Sequence, residues 1–167
     1  QNNVMKTSQE RMIKIIYFIT EDWYFWSHRL SIARAARDAG NEVIIVTRVN
    51  KHKDRIESEG FRVIPIQLKR RGHNIFKELG SLVEIIQIYY KEKPDIVHHV
   101  AVKPVLYGSV AGLITRVPFV VNALAGLGYI FVNKGLKALI VRYFFVLAYK
   151  IAFYSKSTIG LFQNPED

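Results

Sequence analysis

The 167-residue sequence contains no cysteine. Disulfides and thiolate metal sites are therefore excluded, and a reducing compartment suits such a chain. Acidic residues are missing from most of its second half. Between Asp95 and Glu166 there is no Asp or Glu, whereas Lys103, Arg116, Lys134, Lys137, Arg142, Lys150 and Lys156 all fall in that stretch. Any catalytic carboxylate must come from the first ninety-five residues, from the last two or from another chain. Long apolar runs are also lacking. The best candidate span, Ala138–Tyr149, holds Arg142 and is shorter than the ~20 apolar residues that cross a bilayer. Residues Gln1–Arg11 are polar and lack the apolar core of a signal peptide. They read as a leader or an expression remnant, and one domain is expected over residues 12–167.

What is present points to a globular domain: 50% of residues are hydrophobic and 23% charged, a balance that fits a folded core rather than a disordered chain. The net charge of +10 favours anionic partners, whether nucleic acid, acidic lipid headgroups or phosphorylated small molecules.

Strand and helix signals alternate along the chain. Met12–Thr20 is a near-continuous apolar run, as in a strand covered on both faces. Ser27–Gly40 reads as a helix with Ser27 as N-cap and Gly40 as its stop. Asn41–Arg48 is the second strand, and Arg62–Leu68 the third, placed at an edge by Pro65. Asn74–Lys93 is helical, with Leu79, Leu82, Val83, Ile86 and Tyr90 on one side. Pro94–Val100 is the fourth strand, Pro104–Thr115 a small-residue helix, Pro118–Leu124 the fifth strand, Gly135–Tyr154 a long helix and Thr158–Asn164 the sixth strand. Strands joined through helices require a parallel sheet with right-handed crossovers. The expected fold is α/β: a Rossmann-like, doubly wound sheet in the order 3-2-1-4-5-6. The basic stretch Arg48–Lys77 is expected to be its mobile part.

Ligands of such sheets bind outside the carboxyl ends of the strands, where the strand order reverses. That point lies between strands 1 and 4, with strand 5 alongside. Strand 1 exits into "EDWYFWSHR". Read as a loop, it cannot bury all four aromatics, so Trp23 or a neighbour faces a ligand, or else the rings cap the sheet edge. Glu21 and Asp22 are the local carboxylates, available for base work or simply solvated. His28 is read into the first turn of the following helix. His98 and His99 alternate across strand 4 without zinc-type partners. Lys103 stands beside a helix start, as a phosphate clamp or a surface lysine. Gly126 and Gly128 form a G-x-G that either lets the backbone approach a ligand or makes a plain turn, and it lacks the third glycine of a dinucleotide fingerprint. On the long helix, Lys134, Arg142 and Lys156 fall within roughly an 80° arc, with Phe145, Tyr149 and Phe153 on the same side. Such a face suits a membrane interface, or else a core helix whose aromatics meet another domain.

The blocks "SHRLSIARAARDAGNEVIIVTRV", "DIVHHVAVKPVLYGSVAG" and "VVNALAGLGYIF", closing on "LFQNPED", together resemble bacterial glycosyltransferases of family 4 that build capsular, O-antigen and related surface polysaccharides. The resemblance spans Met12–Asp167. It implies one half of a GT-B fold, the N-terminal half that binds the acceptor. A C-terminal donor domain of the same full-length chain would bind the nucleotide-sugar and supply paired glutamates, so this chain alone is not expected to transfer sugar. It further implies retention of configuration, no metal, no cofactor beyond the nucleotide-sugar co-substrate, and an acceptor saccharide on a polyprenyl diphosphate. The implied setting is cytoplasmic, peripheral on an anionic inner membrane face. By position, Gly126, Leu127 and Gly128 match the family's glycine loop, Lys103 and Pro104 its strand-4 exit, and His28 its first-helix entry. Many relatives carry a histidine after strand 5 where this chain reads Asn122, Ala123 and Leu124, which leaves the polar contact to Asn122 and no base assigned. Nucleic acid is not an expected partner, because the aromatics sit in one loop and one helix rather than across a platform of strands.

Overall fold

The computed structural model describes residues 11–68, 75–124, 146, 150 and 157–162. Six strands form one sheet: β1 (Lys14–Glu21), β2 (Glu42–Arg48), β3 (Arg62–Pro65), β4 (Ile96–Val100), β5 (Phe119–Leu124) and β6 (Thr158–Phe162). Every pairing is parallel and the order is β3-β2-β1-β4-β5-β6, as the alternation of signals predicts. Five helices join the strands among the described residues: α1 (Asp22–His28), α2 (Leu30–Asp38), α3 (Lys53–Ser58), α4 (Ile75–Glu92) and α5 (Val102–Thr115).

The apolar runs of β1 and β2 have the composition of strands covered on both sides, and two cores bear this out. On one face, Tyr17, Ile19, Val43 and Ile45 pack with Phe25, Leu30, Ala33 and Ile56 of α1, α2 and α3. On the other, Ile16, Phe18, Ile44 and Val46 pack with Ile85 and Tyr89 of α4 and Ala111 of α5. Pro65 closes the edge strand β3, where a missing donor does least harm.

Three features differ from the sequence-based expectation. The aromatic segment after β1 is helix α1, not a loop. Its acidic start, Glu21 and Asp22, complements the helix dipole, and aromatic residues rank too low in helix propensity to announce so short a helix. Ser27 therefore caps nothing: its hydroxyl donates to the Trp23 carbonyl one turn back. Second, a helix that the sequence reading did not include, α3, lies between β2 and β3. Third, α4 turns a different side to the sheet. Ser81, Ile85, Tyr89 and Glu92 are buried, whereas Leu79, Val83 and Tyr90 are 57%, 45% and 73% exposed. Polar partners decide this orientation, because Glu92 pairs with Lys14 and Arg62, and Tyr89 hydrogen-bonds His99.

Helix α5 lies unusually close to the sheet. A Cβ on Gly108 would come within 2.3 Å of His99 Nε2, so only glycine fits against that ring. Gly108→Ala is expected to displace His99 from Tyr89 and lower the unfolding free energy by about 3 kcal/mol. Urea unfolding checks this; an unchanged midpoint would mean that the ring does not set the spacing of α5.

Candidate functional site

The pairing register places Ile19, Val100 and Ala123 in one row across β1, β4 and β5. Their carboxyl exits are therefore neighbours at the point where the strand order reverses, the place where open α/β sheets bind ligands.

At the exit of β1, helix α1 divides its four aromatics by its own periodicity. Phe25 is fully buried in the core. Trp26 lies under Arg55, whose guanidinium carbon is 4.3 Å from the ring centroid. Trp23 remains 44% exposed and meets Tyr24 edge-on, while Tyr24 stacks flat on His28 at 4.2 Å. His28 thus ends α1 instead of opening the next helix. The single Ser27 hydrogen goes to Trp23 O, so His28 Nδ1 donates to Ser27 Oγ at 2.7 Å. In the neutral ring, Nε2 is then left as an acceptor. Trp23, Tyr24 and His28 make an aromatic face with polar tips, which suits a sugar ring and its hydroxyls.

The two carboxylates beside this face are neither solvated nor available as bases. Asp22 is fully buried and Glu21 nearly so. Glu21 accepts from Arg48 and from the Asn50 amide. Asp22 accepts from the backbone N–H groups of Asn50 and His52, at 2.6 and 3.0 Å. Burial pushes the Asp22 pKa up, but those hydrogen bonds outweigh it and hold the carboxyl below its usual range. Both residues clamp the turn after β2 under α1.

At the exit of β4, Ala101 adopts φ +82°, ψ 167°, a region nearly reserved for glycine that costs a residue with a Cβ about 1–3 kcal/mol. Its N–H donates to the Ala123 carbonyl and its carbonyl accepts from Val105. These bonds hold the elbow between β4 and the start of α5, whose positive end opens at the shared edge. Lys103, expected just before the helix, stands inside its first turn and has an internal counter-ion: its Nζ is 2.7 Å from Glu78 of α4. Tyr107 donates to the same carboxylate, and burial followed by that carboxylate drives its pKa upward. Lys103 is thus a tie between α4 and α5 rather than an open phosphate clamp.

Asn122 is likewise not a surface contact. It has no exposure, accepts from His99 Nδ1 at 2.7 Å and donates to Ser109. His99 Nε2 in turn accepts from Tyr89. This buried chain from α4 through β4 and β5 to α5 fixes the strands whose exits form the site. His98 points to the other face, as the alternation requires, and stacks on Tyr17 at 5.1 Å. Arg29, a buried cation that sequence reasoning did not single out, lies close enough to act on both rings. Gly126, Gly128, Arg142, Phe145, Tyr149 and Phe153 lie outside the described residues.

Among the described residues, no group of three His, Asp or Glu side chains could hold a metal, and no helix is long and apolar enough to cross a membrane. A recess of about 590 Å³ lies at the opposite, amino edge, between Ile13, Asn41, Asp95 and Phe119. It lies away from the strand exits and is lined by the segment before β1, the turn between α2 and β2, and the starts of β4 and β5.

A family model described as "Glycosyl transferase 4-like" matches residues 14–164. The chain belongs to that family. A relative, the N,N'-diacetylbacillosaminyl-diphospho-undecaprenol alpha-1,3-N-acetylgalactosaminyltransferase of Campylobacter jejuni, is 24% identical over 125 residues, which cover 75% of this chain and 33% of that protein. The capsular polysaccharide biosynthesis glycosyltransferase CapM of Staphylococcus aureus is 33% identical over 91 residues, 54% of this chain and 23% of that one. The chain thus spans a third or less of the length of these relatives. In fold it is similar to a glycosyltransferase of Rickettsia africae (TM-score 0.64, 16% identity, 90% of this chain and 37% of that one). It is also similar to MurG of Acinetobacter baumannii (TM-score 0.60, 12% identity, 93% of this chain and 46% of that one).

The buried histidines make stability depend on pH. Burial, with Arg29 second, lowers the His98 pKa to about 4. Burial lowers that of His99 to about 3, partly offset by Asn122. Below the ordinary value of 6.5, the unfolded chain binds protons that the folded chain refuses. Stability is therefore full above pH 6.5 and falls as pH drops towards 4, by up to about 2.7 kcal/mol per pH unit for the two rings together. His98→Phe keeps the stack on Tyr17 and should roughly halve that slope in urea unfolding measured from pH 7 to 4; an unaltered slope would show that His98 titrates freely in the fold.

Proposed function

We propose that this chain is the acceptor-binding half of a retaining glycosyltransferase. The full-length protein would move a sugar from a nucleotide-sugar to a saccharide on a polyprenyl diphosphate during bacterial surface-polysaccharide synthesis. The observation that carries the reading is the family match across residues 14–164 on a sheet whose β1, β4 and β5 exits form one edge. The names of the two relatives, one acting on a diphospho-undecaprenol sugar and one in capsule synthesis, support the substrate class.

In this reading the aromatic face of α1 stacks on the acceptor sugar. His28 Nε2 accepts from one of its hydroxyls, and the first turn of α5 faces the carrier's diphosphate, as helix starts suit anions. By the family resemblance, Gly126 and Gly128 would take part in the same site. The donor sits on a second domain of the same protein, with the nucleotide-sugar as co-substrate and no resident metal. The protein works from the cytoplasmic side, held peripherally on the membrane.

A kinetic split tests the assignment of this half. In the full-length protein, Trp23→Ala should raise the KM for the lipid-linked acceptor about tenfold, about 1.4 kcal/mol, and leave the donor KM unchanged. A rise in donor KM alone would make this half the donor domain.

A further inference from the structure

The outward side of α4 is unlike that of an ordinary surface helix. Leu79, Val83, Ile86 and Tyr90 follow one another at spacings of four, three and four residues, which places them in one stripe. The stripe runs roughly 16 Å along the helix. Leu79, Val83 and Tyr90 are 57%, 45% and 73% exposed, and Ile86 is half-buried between them. Surface helices of soluble domains normally place polar residues there.

The charges around the stripe are one-sided. All three carboxylates of α4 are engaged with the protein: Glu78 with Lys103 and Tyr107, Glu84 with the backbone N–H of Gln67, and Glu92 with Lys14 and Arg62. Lys91 and Lys93 stand exposed at the end of the helix. An apolar stripe with free cations and engaged anions is complementary to an anionic bilayer surface, where side chains enter the acyl boundary and ammonium groups meet headgroup phosphates. The same +10 charge opposes the stacking of two copies.

We infer that the Leu79–Val83–Ile86–Tyr90 stripe of α4 is the face by which the protein lies on an anionic phospholipid membrane. This deepens the acceptor reading above and rests on it. The upper end of the stripe adjoins Glu78, whose carboxylate holds Lys103 in the first turn of α5. A protein resting on this stripe therefore keeps the carboxyl edge close to the headgroup layer, where the diphosphate of a lipid-linked acceptor lies.

The test is co-sedimentation with vesicles of phosphatidylglycerol and phosphatidylethanolamine, with pure phosphatidylcholine for comparison. No donor or acceptor is present, so the result is independent of sugar transfer, which is measured separately on a detergent-dispersed acceptor. The protein should bind the anionic vesicles, and 0.5 M salt should weaken that binding. Leu79→Glu with Val83→Glu should reduce the partition coefficient at least tenfold without changing the melting temperature. Ile32→Glu, an exposed apolar site on α2 across the sheet, should leave binding as it was. If the double variant fails to fold, Tyr90→Glu alone carries the test. The inference is overturned if the protein does not bind anionic vesicles or if the stripe variants bind like the parent. It is equally overturned if Arg142→Glu alone removes binding, or if the stripe variants convert a dimer in solution into a monomer.

Discussion

The parallel pairing of β4 onto β1 is the constraint on which the rest of this structure depends. Strands β2 and β3 extend the sheet to one side of β1, and β4, β5 and β6 extend it to the other. Because the strand order reverses there, the connections leaving β1 and β4 part to opposite faces, and an open edge is left between them. The register that sets Ile19, Val100 and Ala123 level brings together an aromatic helix, a strained elbow and the carboxyl end of β5.

Beneath that edge the polar groups are arranged to hold geometry. The chain Tyr89–His99–Asn122–Ser109 crosses α4, β4, β5 and α5 without reaching solvent. Each buried donor and acceptor in it has a partner, so the chain specifies one register and makes its alternatives costly. Asp22 does the same on the other side by gathering the backbone after β2. The pair Lys103–Glu78 ties α4 to α5 at the rim. These side chains come from segments far apart in sequence, yet each fixes an element whose end lies at the site.

Much of the architecture was legible in the sequence, because strand order follows from apolar runs alternating with helical periods, and crossover handedness leaves few topologies. The assignment of β3 to an edge needed only Pro65. The parts that were not legible depend on contacts that local patterns do not encode. Helix α4 offers two sides, the apolar stripe of Leu79, Val83, Ile86 and Tyr90 and the mixed side of Ser81, Ile85, Tyr89 and Glu92. Which one enters the core was decided by Glu92 meeting Lys14 and Arg62 and by Tyr89 meeting His99. Asn122, Lys103, Glu21 and Asp22 have the side chains of a binding site, but their partners, contributed by distant residues, make them internal. The strain at Ala101 gave no signal at all, because alanine is not the residue expected at φ +82°. Among the described residues, Trp23 and His28 stand exposed near the carboxyl edge, on helix α1 where a loop was predicted for Trp23 and the next helix for His28.

The central claim is that an acceptor diphosphate and its sugar meet this domain at the carboxyl edge between β1 and β4. Amide chemical-shift mapping during titration with a short-chain polyprenyl diphosphate saccharide tests it most directly. The account expects the changes to concentrate at Trp23, His28, Ala101 and Val102. Changes concentrated instead at Ile13, Asn41, Asp95 and Phe119, around the recess at the amino edge, would contradict it.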